Sequence, residues 1–97
     1  MDVTFKDQSL DRLEIDATYS AGFGGEVVKA YRKTMAHIRA SRDERTFYTR
    51  NSFRFEKLED DRQGQYAMRL NKQWRLIIEL HGNAPKTVHG GEITDYH

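Results

Sequence analysis

A change of period constrains this chain more than any other feature. Between Tyr66 and Leu80 apolar residues recur at every second position: Tyr66, Met68 and Leu70, then Trp74, Leu76, Ile78 and Leu80. Successive side chains on a strand point to opposite faces, so this alternation predicts two antiparallel strands with one apolar face each, joined around Asn71-Lys72-Gln73. The loop length follows from the register. A two-residue loop would set Leu70 against Gln73 and Met68 against Arg75. A three-residue loop sets Leu70 opposite Trp74, Met68 opposite Leu76 and Tyr66 opposite Ile78, which makes the apolar face continuous. It also sets Arg69 directly opposite Arg75 on the other face, where like charges repel unless something neutralises them. A carboxylate of the protein is one such partner. A phosphate gripped by two guanidinium forks is the other.

Before Phe53 the period is that of a helix. Val27, Tyr31, Met35 and Ile38, flanked by Val28 and Thr34, form one apolar stripe over Glu26 to about Ser41. Glu26 in the first turn and Arg39 and Arg42 near the last suit the helix dipole. Lys29, Arg32 and Lys33 fall on the face expected to be wet. A shorter helix is expected over Asp7–Leu13, capped by Asp7 or Ser9, and another from Asp43 through Tyr48. Val3-Thr4-Phe5 reads as a short strand, Tyr19–Gly25 as a glycine-rich turn, and further strands are expected around Leu58 and over Thr87–Tyr96. Val88 and Ile93 have opposite parity across His89-Gly90-Gly91, which predicts a bulge or break. Helices first and an antiparallel sheet afterwards is an α+β order, with two to three N-terminal helices packed on a small sheet.

Composition sets the outer bounds. At 97 residues the chain is read as one domain, residues 1–97. Leu, Ile, Val and Phe make up only 20 of those residues, but the net charge of +1 is far from that of a disordered chain, so a small globule is expected. No apolar run approaches the roughly 18 residues of a membrane span, no signal peptide opens the sequence, and no cysteine is present. A cytoplasmic domain without membrane contact is the expectation. The near-zero charge is itself a sum of opposing stretches: residues 1–25 carry a net −3, residues 26–54 a net +5 and residues 55–97 a net −1. A basic middle third suits a polyanion, and equally a solvated helix.

Asp95-Tyr96-His97 is the constellation with the most chemistry in it. On a strand Asp95 and His97 share one face and Tyr96 takes the other; each type can serve as acid or base. The four histidines, at 37, 81, 89 and 97, show no metal-ligand spacing, so no metal site is expected. Gly22-Phe23-Gly24-Gly25 lacks the strand-to-helix context of a nucleotide loop, and no hydrolase elbow appears.

Arg54-Phe-Glu-Lys-Leu-Glu-Asp-Asp-Arg-Gln-Gly-Gln-Tyr-Ala-Met-Arg-Leu-Asn-Lys-Gln-Trp-Arg75, followed by Asp95-Tyr-His97, resembles the HigB branch of the RelE/ParE toxins, the plasmid-maintenance killer proteins. The resemblance extends over essentially the whole chain. It implies a RelE-like fold and a ribosome-dependent endonuclease that cuts mRNA in the A site by attack of a 2′-hydroxyl, with neither metal nor cofactor. It further implies a HigA-like helix-turn-helix antitoxin, hence a toxin–antitoxin hetero-oligomer, and contacts with rRNA and mRNA. Carried over by position, His97 is the candidate for proton transfer, Asp95 orients or charges it, Tyr96 positions the substrate and Arg75 holds the scissile phosphate. Arg69 and Arg62 are basic positions of the same block. Lys29, Arg32 and Lys33 on the basic helix are the candidates for rRNA docking.

The chain also departs from its relatives. Leu58-Glu-Asp-Asp-Arg62 stands where many have Leu-Lys-Gly-(Asp or Lys)-Arg, so Glu59 replaces a lysine, and Glu56 stands where some have histidine. Three successive acids beside a phosphate site repel RNA. Two alternatives therefore stand beside the nuclease: a ParE-like gyrase inhibitor, or a weakened toxin that serves only to bind its antitoxin.

Overall fold

The computed structural model describes residues 1–83 and 85–95. Five strands and three helices follow in the order β1 (Val3–Phe5), α1 (Gln8–Ile15), α2 (Gly25–Ala40), α3 (Arg45–Thr49), β2 (Glu56–Lys57), β3 (Gln65–Arg69), β4 (Trp74–His81) and β5 (Thr87–Asp95). One sheet contains all five strands, in the order β1-β5-β4-β3-β2.

The hairpin has the register its apolar pattern demands. Tyr66 faces Ile78, Met68 faces Leu76 and Arg69 faces Arg75. Asn71 explains the loop locally: its Oδ1 accepts from the backbone N–H of Gln73 at 2.9 Å and of Trp74 at 2.8 Å, and Leu70 N–H bonds the Trp74 carbonyl at 3.0 Å. A short amide side chain that closes its own turn in this way suits Asn. The expectation of an antiparallel sheet fails at one place. β1 runs parallel to β5, with Val3 opposite Val88, because a strand that opens the chain has no hairpin to dictate its direction.

α2 buries Val27, Val28, Tyr31, Thr34, Met35 and Ile38, the stripe given by its period. Against them pack Leu10 and Leu13 of α1 and the inner sheet face of Met68, Leu76, Ile78 and Val88. Tyr31 is fully buried, and its hydroxyl donates to the Leu10 carbonyl at 2.8 Å, which ties α2 to α1. Asp7 caps α1 by accepting from Ser9 N–H at 2.9 Å. α3 opens two residues later than its charge pattern predicts, since the Asp43 carboxylate accepts from Arg45 N–H and so stands outside the helix. The expected strand around Leu58 shrinks to Glu56–Lys57, and the segment that follows turns away through Asp60, whose φ is +57°.

The parity break in β5 is a β-bulge. Ile77 pairs with Glu92 but Ile78 pairs with Gly90, so Gly91 is the extra residue. A Cβ at Gly91 would lie 3.2 Å from the Ile77 carbonyl oxygen, which explains glycine there.

Candidate active site

Residues directly opposite one another across antiparallel strands share a face. On the face turned away from the helices, Arg69, Arg75 and Thr94 therefore form one cross-strand row, and Ala67, Ile77 and Glu92 the next. The bulge decides this arrangement. It shifts β5 by one residue, so that Thr94 lies beside Arg75 while Asp95 lies beside Trp74 on the helix side. Asp95 Oδ2 accepts from Gln73 Nε2 at 2.8 Å, and Trp74 meets Phe23 edge to face with ring centroids 5.4 Å apart. Asp95 thus sits at the loop end of the sheet, opposite Trp74, where it also borders a hollow beside the arginine row.

The two facing arginines converge on one acceptor. Arg69 Nε donates to the Asn71 carbonyl at 3.1 Å, and Arg75 Nη1 donates to the same oxygen at 2.8 Å and to the Trp74 carbonyl at 3.2 Å. One carbonyl thus orients both guanidiniums side by side. Sequence reasoning placed the pair but missed Asn71, although an Asn opening a short loop signals a side chain bonded to its own backbone.

Beside this row lies a hollow of about 340 Å³ lined by Leu58, Glu59, Asp60, Arg62, Ile77, Thr94 and Asp95. Ile77, only 2% exposed, lies on this outer face among its lining residues. Arg62 Nη1 reaches Glu92 Oε1 at 2.7 Å and Gln65 Oε1 at 3.2 Å, so its charge is partly spent on the protein. Glu59 and Asp60 stand in the same lining, the acids that the sequence marks as unfavourable to RNA.

Lys29 and Lys33 are exposed on α2, as their positions predict. Arg32 departs from the expectation of a solvent-facing cation. It is half-buried and donates to three backbone oxygens: Leu13 at 2.9 Å, Asp16 at 2.8 Å and Tyr19 at 3.1 Å. These carbonyls lie in the last turn of α1 and just after it, where acceptors lack helical partners. Tyr96 and His97, half of the expected catalytic cluster, lie outside the described residues. Among the described residues no group of three or more His, Asp or Glu is placed to hold a metal, and no helix is long and apolar enough to cross a membrane.

Comparison with known proteins supplies a family. The sequence profile of HigB-like toxins, described as the RelE-like toxin of type II toxin-antitoxin system HigB, matches residues 3–97. Among solved structures, the fold is similar to the YoeB/ParE toxin from Agrobacterium tumefaciens, with a TM-score of 0.65, 13% identity and all of both chains covered. It is also similar to a chain of the YoeB-YefM complex from Staphylococcus aureus, with a TM-score of 0.61 and 18% identity over 100% of this chain and 97% of the other. YafQ from E. coli strain BL21(DE3) gives a TM-score of 0.61 and 12% identity over 97% of this chain and 91% of that one. At such identities the likeness to these structures is one of fold. No curated protein matches the chain by sequence.

Proposed function

The chain belongs to the HigB-like toxins, the RelE-like branch of type II toxin-antitoxin systems, and from that premise we propose that it is a ribosome-dependent endoribonuclease that cleaves mRNA in the A site. The observation that carries the reading is the Arg69–Arg75 pair, two half-buried cations oriented by one carbonyl on the sheet face turned away from the helices. In the reaction the upstream 2′-oxygen bonds to phosphorus and the bond to the 5′-oxygen breaks. A base takes the 2′-hydroxyl proton, an acid gives one to the departing 5′-oxygen, and a cyclic phosphate and a 5′-hydroxyl remain. The enzyme must place the 2′-oxygen in line, move these protons and neutralise the charge that gathers on the phosphate.

Arg75 is assigned the scissile phosphate, with Arg69 sharing the charge and Arg62 at the rim. His97 is assigned proton transfer, Asp95 its orientation and Tyr96 the placing of the nucleotide, roles that rest on the family resemblance. Lys29 and Lys33 are assigned to rRNA docking; Arg32 is left out, because its donors serve the α1 end. A HigA-like helix-turn-helix antitoxin is the proposed partner and the cytoplasm the proposed place of action. The acidic Glu59 and Asp60 in the hollow favour a second reading, a weakened toxin that mainly binds its antitoxin.

Purified toxin added to an in-vitro translation reaction, with primer extension on the mRNA, tests the proposal. Cleavage at A-site positions is expected. It should fall by about 10²–10³ in Arg75→Ala or His97→Ala, the usual loss when a charge-stabilising or proton-transferring group is removed. Intact mRNA together with double-strand DNA breaks and stalled gyrase would overturn it in favour of a ParE-like activity.

A further inference from the structure

A second hollow, of about 490 Å³, opens between α2, the turn Asn51–Phe53 and the end of β3. Lys33, His37, Arg50 and Arg69 all line it, Ser52 adds a hydroxyl, and no carboxylate is in the lining. Only Lys33 and Arg69 among these bore on the sequence-derived site.

The basic groups are held by something other than counter-charges. The His37 ring stands edge-on to Phe53 with centroids 5.0 Å apart, and the Arg50 guanidinium carbon lies 5.3 Å from the centroid of the same ring. Arg69 is fixed by the Asn71 carbonyl. Four other arginines meet carboxylates: Arg12 with Asp16, Arg39 with Glu14, Arg45 with Asp43 and Arg62 with Glu92. Among the described residues Lys33, Arg50 and Arg69 have no such partner. Three cations crowded round one concavity raise its potential, and an anion that enters meets donors already oriented.

We propose that this hollow is a second phosphate-binding site, which takes a phosphodiester of a single-stranded RNA running on from the Arg75 row. Arg69 joins the two places, since it belongs to the cross-strand row and to the lining of the hollow. That continuity favours a nucleic-acid strand over an acidic peptide, because a polyanion with a charge at every residue engages both stations at once. The inference rests on the RNA reading only for the identity of the strand.

Nuclear magnetic resonance on the isotope-labelled toxin tests it, with a single-stranded DNA hexanucleotide as probe, which lacks the 2′-hydroxyl and so cannot be cut. Saturable shifts of the His37 ring and Arg50 guanidinium signals are expected at low salt. In a Lys33→Ala/Arg50→Ala variant with an unchanged unfolding transition, affinity should fall at least about tenfold. The slope of log K against log salt should flatten by about 1.4, the counterion release of two phosphate contacts on a single strand. Shifts confined to residues outside the hollow would overturn the proposal, as would saturation by a glutamate hexapeptide where the oligonucleotide produces none. Ribosomal cleavage is not the readout, so the two readings fail separately. Cleavage without His37 shifts removes this site alone, and His37 shifts without cleavage remove the nuclease alone.

Discussion

Asn71 governs the geometry at the tip of the hairpin with two different groups. Its side-chain oxygen closes the loop, and its carbonyl collects Arg69 and Arg75. Asn71→Ala is expected to lower stability by about 1–2 kcal/mol, for two amides returned to water at an exposed turn. RNA cleavage should fall much further than that loss explains, because the loop carbonyl no longer sits where both guanidiniums need it. Urea unfolding beside a cleavage assay on one preparation separates the effects, and equal losses in both would deny Asn71 its positioning role. Tyr31 supports a pH prediction. Burial pushes its phenol well above the ordinary value, so the folded protein keeps the proton when the unfolded chain releases it. The stability this gives is whole below about pH 10 and drains away as pH rises further. Thermal melts of the wild type should therefore drop steeply above pH 10. Tyr31→Phe should melt lower at neutral pH, by the roughly 1 kcal/mol of the Leu10 hydrogen bond, but with a shallower alkaline decline.

Elements with a strict period were legible in the sequence, and elements set by distant partners were not. α2 and the β3–β4 hairpin announce themselves because one apolar face must be filled and a slip of one residue would expose it. The bulge was legible for the same reason, from the opposite parities of Val88 and Ile93. The direction of β1 was not, since three residues carry no signal of which strand they will meet. Nor was the duty of Arg32: its helical position faces outward, and only the path of the α1–α2 connection brings carbonyls within reach. Of the candidate site, the facing of Arg69 and Arg75 came from register alone, whereas Asn71 and the hollow with His37 and Arg50 needed the tertiary structure. Gly91→Val should cost about 1–3 kcal/mol, since its side chain must push against the Ile77 backbone, and denaturant midpoints check it. In the segment between β2 and β3, Glu59→Gln with Asp60→Asn removes two negative charges from the hollow. That change should tighten binding of uncleavable RNA several-fold at low salt, with the gain shrinking as salt rises; unchanged affinity across the salt series would show that the acids face away from the strand.

Across the whole molecule, the charge balance of +1 hides a division of labour. Glu14 and Asp16 of the N-terminal third are held in ion pairs with Arg39 and Arg12, while Lys33 and His37 of α2, with Arg50, line a hollow without acids. Sheet order sets the route of folding. The β3–β4 hairpin closes over three residues, whereas β1 pairs with a strand 85 residues away, Val3 against Val88. Loop closure costs more entropy over the longer span. Substitutions in the hairpin such as Leu76→Val should thus slow folding, and Val3→Ala should mainly speed unfolding, as chevron plots will show. The same order has a consequence in time. β5 is synthesised after the other four strands, yet it lies between β1 and β4 and brings Thr94 beside Arg75. A chain made only as far as β4 therefore already carries its basic helix and its hairpin but not the strand that completes the arginine face. Until Thr94 has been added, the nascent chain holds that face incomplete.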